Sequence, residues 1–102
     1  MTATASVDLL FVPDCPNVAI ARQRIVDAMV AAGVRGEVRE REITDADEAA
    51  VAGMNGSPTI LVNGRDVAGG EAVGSFSCRL YRTATGSDAA PTLNQIVEAL
   101  RS

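Results

Sequence analysis

The sequence predicts an α/β domain built on a small mixed sheet, and three observations support this fold class. The chain has 102 residues, the size of one domain, and 47% of them are hydrophobic, enough for one core. Strand-like and helix-like segments alternate along its first half, which is typical of a β-α-β unit with parallel strands. A hairpin signal follows in the second half. We therefore expect one domain over residues 1–102, without a linker or a repeat.

The first strand and helix follow from an apolar run and a proline. Val7–Val12 is apolar except for one charge, which predicts a buried central strand. Pro16 suits the first position of a helix, because the N–H that proline lacks would be unpaired there, and Cys15 is then the N-cap. Gly33 is expected to end this helix in a left-handed conformation. The expected buried stripe comprises Val18, Ala21, Ile25, Ala28, Met29 and Ala32.

Charge marks the second strand as an edge. Glu37–Ile43 carries five charged residues of mixed sign, which suits a short strand at the border of a sheet better than a central one. Thr44 and Asp47 then have the spacing of a capping box. They predict a short, alanine-rich helix that ends near Gly53.

A hairpin is predicted after a turn-rich connector. Thr59–Val62 and Arg65–Ala68 are strand-like and are separated only by Asn63 and Gly64. Asn-Gly favours a type I′ turn, because both of its central residues need a positive φ. The two runs should therefore pair antiparallel.

The last predicted element is a helix that begins after Thr92. Thr92 and Gln95 have capping-box spacing, and the expected buried stripe comprises Leu93, Ile96, Val97 and Leu100. Residues 69–90 contain no element that the pattern assigns. The predicted order β-α-β-α-β-β-α gives a four-stranded mixed sheet, with the strands, numbered along the chain, in the order 2-1-3-4.

Composition removes several classes of function. The chain contains no Lys and no His, which excludes Schiff-base chemistry, His-containing triads and His-ligated metal sites. Its net charge is −4 and only three residues are aromatic, so nothing favours nucleic-acid binding. No apolar stretch approaches the ~20 residues of a membrane helix, and residues 1–12 lack the pattern of a signal peptide. We expect a cytoplasmic protein with reduced thiols and without a metal or cofactor.

Two short motifs resemble the thioredoxin-like superfamily. One is F-V-P-D-C-P-N-V at residues 11–18, a strand followed by Cys-Pro at a helix start. The other is G-S-P-T-I-L-V-N-G at residues 56–64, with Ser-Pro-Thr before a strand. The chain is similar to small bacterial thioredoxin-family proteins of unassigned function, some of them labelled alkylmercury-lyase-like. The resemblance implies a thioredoxin-like fold over nearly the whole chain, with Cys15 at the nucleophile position and Pro58 at the cis-proline position.

The resemblance also implies a substrate-binding surface around these two residues. Pro16 follows the cysteine, and Ser57 and Thr59 flank the proline. A substrate chain would be held through the backbone of the segment before Thr59, in the manner of an added β-strand.

The position of Cys15 suits thiolate chemistry. The free N–H groups and partial positive charge of a helix N-terminus stabilise a thiolate relative to a thiol. Asp14 opposes this effect and is a candidate modulating residue, because a neighbouring carboxylate disfavours a second anion. Val18 stands where the family carries its second cysteine, so dithiol reduction through a Cys-x-x-Cys motif is excluded.

Cys78 is the other thiol of the chain, and its role is open between a packed side chain, a resolving partner for Cys15 and an independent reactive thiol or metal ligand. The leading interpretation is a thiol–disulfide exchange protein with one active-site cysteine, acting on a protein disulfide or a small-thiol mixed disulfide. The alternative is a non-enzymatic thioredoxin-like module that binds a protein or a metal. A third hypothesis is organomercurial cleavage, with Cys15, Cys78 and Asp14 as the two cysteines and the aspartate. The sequence leaves open whether the protein is an enzyme, and also its oligomeric state.

Overall fold

Strand β1 (Thr4–Phe11) runs through the middle of a four-stranded mixed sheet. It pairs in parallel with β2 (Arg35–Glu42) and antiparallel with β4 (Thr59–Val62), which turns back into β5 (Arg65–Asp66). The sheet order is β2-β1-β4-β5, and the fold class is α/β, as expected. The computed structural model describes residues 4–69, 75–78, 81–83, 86–88 and 90–101.

Numbered along the chain, the strands have the order 2-1-4-5 in place of the expected 2-1-3-4, because a further strand precedes Thr59. This strand, β3 (Asn55–Ser57), lies outside the four-stranded sheet and pairs in parallel with β6 (Ser75–Cys78). Pro58 separates β3 from β4, since a proline has no N–H to continue a ladder. Within residues 69–90, where the sequence predicted no element, the remaining strands β7 (Tyr81–Thr83) and β8 (Gly86–Asp88) pair antiparallel.

The first helix, α1 (Val18–Ala32), begins later than predicted. Its N-cap is Asn17, so the expectation that Cys15 caps the helix is wrong. The chain makes two consecutive turns between β1 and α1, and the N–H of Cys15 donates to the carbonyl of Val12 within the first. Two turns are needed to reverse the chain direction, and they place the cysteine ahead of the helix boundary. Gly33 ends α1 at φ 65°, which confirms the predicted left-handed cap.

The capping boxes of the other two helices were predicted with different success. Helix α2 (Ala46–Ala52) is capped by Asp45, which accepts from the N–H of Glu48, so the predicted Thr44–Asp47 box is wrong by one residue. Helix α3 (Leu93–Arg101) has the predicted box, with Thr92 and Gln95 bonded reciprocally. Among the described helices, none is long and apolar enough to cross a membrane.

Two apolar clusters cover the two faces of the sheet. The larger cluster lies under α1 and α3 and includes the fully buried Val7, Leu9 and Ile60. The smaller one lies under α2 and is built around Leu10 and Met54. The predicted stripe of α3 is buried except for Leu93, which is 40% exposed at the first turn. The side chains of β1 therefore alternate between two separate cores.

The hairpin between β4 and β5 has the predicted Asn-Gly turn. Asn63 and Gly64 have φ values of 51° and 82°, and Val62 pairs with Arg65 across them. These values confirm the type I′ turn. The hairpin is also fixed to β1, because the side chain and backbone of Asn63 both bond to the backbone of Ser6.

Strand β2 is an edge, as predicted, but it is longer than expected. All eight of its residues are exposed, and they pair with β1 without a break in register. Its charged residues contact neighbouring elements. Arg22 of α1 forms two hydrogen bonds of 2.7 and 2.6 Å with the Glu40 carboxylate, and Arg39 bonds Asp8 at 3.1 Å.

Replacing Ile60 by Ala is expected to lower the free energy of unfolding by ~2–5 kcal/mol, because it removes a fully buried side chain from the larger core. Val51→Ala is the matched control, since Val51 is 85% exposed on α2. Urea unfolding followed by circular dichroism measures both. An Ile60→Ala loss no larger than that of Val51→Ala would contradict the described core.

The contribution of Glu40 to the stability of the protein decreases as the pH falls. Hydrogen bonds from Arg22 are the main reason that the pKa of Glu40 lies below its usual value, and burial opposes them. A depressed folded-state pKa contributes stability above the unfolded pKa, and the contribution is lost as pH falls through the folded pKa. Because the pair is exposed, its removal by Glu40→Gln should cost at most ~1 kcal/mol at neutral pH. In urea unfolding from pH 7 to pH 3, the free energies of unfolding of the wild type and of Glu40→Gln should converge. A difference between them that widens toward low pH would contradict this assignment.

Candidate functional site

Cys15 lies in the loop that connects β1 to α1. The thiol is free and partly buried, and it packs against the edge of the larger core. Asp14 and Pro16 on either side of it are exposed, and Asp14 has a left-handed backbone with φ 59°. The cysteine is thus held by packing on one side and accessible on the other.

Val12 connects this loop to the segment around Pro58 through its main chain. Its carbonyl accepts from the N–H of Cys15 at 3.3 Å, and its N–H donates to the Oγ atom of Ser57 at 3.1 Å. One residue therefore bonds to both of the segments that the sequence motifs single out. This contact brings the Cys15 loop beside the Ser57–Pro58 segment.

The segment around Pro58 is fully buried and internally hydrogen-bonded. Ser57, Pro58 and Thr59 have almost no exposed surface, and the Ser57–Pro58 peptide bond is cis. Thr59 Oγ1 donates to the carbonyl of Gly56 and accepts from the N–H of Asn55. These bonds satisfy the Thr59 hydroxyl within the segment, while the Ser57 hydroxyl has its partner in Val12.

Cys78 lies on the strand that pairs with this segment. In the parallel pairing of β3 with β6, its Cα atom is the partner of Ser57, after a shift in register from the Asn55–Ser75 pair. The backbone of Cys78 is therefore next to the residue that bonds the Cys15 loop. The two cysteines are 63 positions apart in sequence. Hydrogen bonds of Val12 and the strand pairing of Ser57 connect their backbones.

The N-terminus of α1 is not capped by a side chain. Asn17 makes no side-chain hydrogen bond to it, and its first turn carries no acidic residue. In contrast, Asp45 caps α2 and Thr92 caps α3. The donors in the first turn of α1 therefore face no competing carboxylate of that turn.

Other features of the described residues do not add a ligand site here. Within the described part of the chain, no group of three or more Cys, Asp and Glu side chains could hold a metal ion. A cavity of about 660 Å³ lies between α2 and the sheet, and none of the predicted site residues lines it.

Most of the predicted site residues fall within the described part of the chain. Cys15, Ser57 and Pro58 are drawn together by the Val12 contacts, while Cys78 is described through its backbone pairing. Val12 itself was missed by the sequence reasoning. Its contribution is made by main-chain atoms, so its side chain gives no signal beyond its place between strand and cysteine.

No protein-family model, no curated protein and no solved structure matches this chain.

Replacing Ser57 by Ala tests the contact that connects the two segments. The substitution leaves the N–H of Val12 without its acceptor, which should lower the free energy of unfolding by about 1–3 kcal/mol. Hydrogen exchange at the Val12 amide should become faster. Ser6→Ala is the control, because the Ser6 hydroxyl bonds only an exposed Arg39. Unchanged exchange at Val12 in Ser57→Ala would contradict the contact.

Proposed function

We propose that the protein is a thioredoxin-like thiol–disulfide exchange protein in which Cys15 is the nucleophile and Cys78 is the resolving thiol. The observation that carries the proposal is the connection from Cys15 through Val12 to Ser57, and from Ser57 across the strand pair to Cys78. A four-stranded mixed sheet with helices over both faces, and a cis Ser57–Pro58 bond beside the cysteine loop, also support a thioredoxin-like assignment.

The first step is attack by the Cys15 thiolate on a disulfide. A new bond forms between the Cys15 sulfur and one sulfur of the substrate, and the other sulfur leaves as a thiolate that takes up a proton. Helix α1, which has no side-chain cap, begins three residues after the attacking cysteine. Asp14 is exposed, so its carboxylate is hydrated and opposes the anion only weakly.

The second step releases the captured thiol. The Cys78 thiolate attacks the Cys15 sulfur, a Cys15–Cys78 disulfide forms and the substrate thiol departs. Two molecules of a low-molecular-weight thiol then reduce this bridge and become oxidised to their own disulfide. In this scheme the resolving thiol comes from β6, because Val18 occupies the position of a second motif cysteine.

The pairing of β3 favours a small substrate over an extended protein chain. A protein substrate would be held by the backbone of Asn55–Ser57, but β6 pairs with that backbone. A substrate strand could bind there only after β6 moves away. A mixed disulfide with a small thiol needs no such slot, so we propose it as the substrate class and the reducing cytoplasm as the compartment.

Turnover of a small mixed disulfide in the presence of excess low-molecular-weight thiol tests this proposal. We expect wild-type protein to catalyse the exchange and Cys15→Ser to lose at least about a hundredfold of the rate, because no other group replaces the nucleophile. Cys78→Ser should accumulate a Cys15 adduct at low thiol concentration, visible by intact-mass measurement. Higher thiol concentration should restore its turnover.

Val51→Ser is a suitable control for introducing a serine, since it lies on the exposed face of α2. Matching urea unfolding curves establish that each variant is folded. Retained activity in Cys15→Ser would overturn the assignment of the nucleophile. A folded wild-type protein without turnover of any small disulfide would overturn the exchange function and favour the alternative of a binding module.

A further inference from the structure

Among the described residues, nothing pairs with the outer edge of β2. β2 is the terminal strand of the four-stranded sheet, and all eight of its residues are exposed. It contains no proline, and its pairing with β1 has no bulge. Proline and bulges commonly interrupt natural edge strands, because a regular edge is a template for another strand. In β2 the edge instead carries six charged residues of both signs, which an edge of matching charge pattern can pair with.

An apolar strip lies beside this edge on the α1 face of the sheet. Arg22 bonds Glu40, which shows that this part of α1 lies over this part of β2. Four residues of a helix span about 6 Å along its axis, and two residues of a strand span about the same distance. Because α1 runs antiparallel to β2, each step of four residues along α1 from Arg22 corresponds to two residues back along β2 from Glu40. Val26 is therefore level with Val38. Val30 is level with Gly36, which has no side chain to cover it.

These valines are unusually exposed. Val30 is 79% exposed, Val26 is 51% exposed and Val38 is 39% exposed. They account for three of the six large hydrophobic residues that are exposed in the described part of the chain. Clustered apolar side chains beside an open strand edge are typical of an interaction surface.

We propose that this surface binds a second copy of the chain, so that two β2 strands pair antiparallel and the two sheets become one. Two identical edges can pair in this way only about a two-fold axis normal to the sheet. One residue of β2 must then face its own copy, and residues at equal distances on either side of it face each other. The choice of that central residue fixes every cross-strand pair.

Charge and the length of the paired segment together select Val38 as the central residue, because a centre at Gly36 also pairs Arg35 with Glu37 but joins only three residues of each β2 strand. With Val38 on the axis, Glu37 faces Arg39 of the second copy, and this favourable pair occurs twice. A centre at Glu37, Arg39 or Glu40 would instead set like charges against each other on the axis itself. The Val38 register has one unfavourable pair type, Arg35 against Arg41.

A contact within each chain reduces the repulsion between Arg35 and Arg41. The Arg41 guanidinium lies 3.8 Å from the Glu48 carboxylate of its own chain, which offsets part of its charge. On the other face of the sheet, both α1 helices lie beside the axis, and Val26 and Val30 of each copy approach those of the other. The dimer therefore covers the apolar strip with the same strip of its partner.

Sedimentation equilibrium over a wide concentration range tests the proposal. Wild-type protein should show a reversible monomer–dimer equilibrium, and Val38→Arg, which sets two cations against each other on the axis, should weaken dimerisation at least about tenfold. Val51→Arg is the control, because it adds the same charge to an exposed valine of α2. A monomer at every concentration, or equal dimerisation of Val38→Arg and wild type, would overturn the proposal.

A disulfide tests the register independently. In a background with Cys15→Ser and Cys78→Ser, Val38→Cys should form an intermolecular bridge on mild oxidation, because facing Cα atoms lie about 5 Å apart. Glu42→Cys should not, since its two copies would lie eight positions, or about 26 Å, apart along the paired strands. Efficient bridging through Glu42→Cys in place of Val38→Cys would overturn the Val38 register.

Discussion

Strand β1 has to bury both of its faces, and the arrangement of the helices follows from this constraint. Val7 and Leu9 are completely buried under α1 and α3, while Leu10 is buried beneath α2 on the other side. A strand with apolar side chains on both faces is stable only between two covering layers. The two unequal cores are therefore a direct consequence of the apolar run that the sequence carries at residues 7 to 12.

The same strand determines where the candidate site forms. Because β4 is antiparallel to β1, the end of β1 and the start of β4 lie at the same border of the sheet. The loop after Phe11 must then meet the segment before Thr59, and the Val12–Ser57 hydrogen bond is the contact that results. Parallel pairing brings the end of β2 to this border as well, where the N–H of Ile43 donates to the carbonyl of Phe11 at 2.7 Å.

Features that depend on local geometry could be predicted from the sequence. Gly33, the Asn63–Gly64 turn and the Thr92 capping box each follow from the conformations that a few adjacent residues allow. Features that depend on distant partners could not. β3 exists because β6 pairs with it, and no property of Asn55–Ser57 alone announces that partner.

The candidate site shows the same division between local and distant information. Its cysteine and proline were identified by the motifs around them, whereas the role of Val12 depends on a hydrogen bond from its N–H to the hydroxyl of Ser57, 45 positions away. The helix boundary was misplaced because a turn at residues 16–17 intervenes between Cys15 and Val18. Proline and cysteine identities alone do not distinguish a turn from a first helical residue.

The thiol site and the proposed dimer surface lie at separate places on the sheet, so each can operate without the other. Val38 is the register partner of Val7, four positions before the end of β1, or about 13 Å along the strand from the loop that carries Cys15. β1 also stands between β2 and β4, which leads from the Ser57–Pro58 segment. A two-fold axis at Val38 would direct the two Cys15 loops to opposite borders of the joined sheet. Dimerisation would then protect the exposed edge of β2 while leaving Cys15 of each copy accessible to a small disulfide.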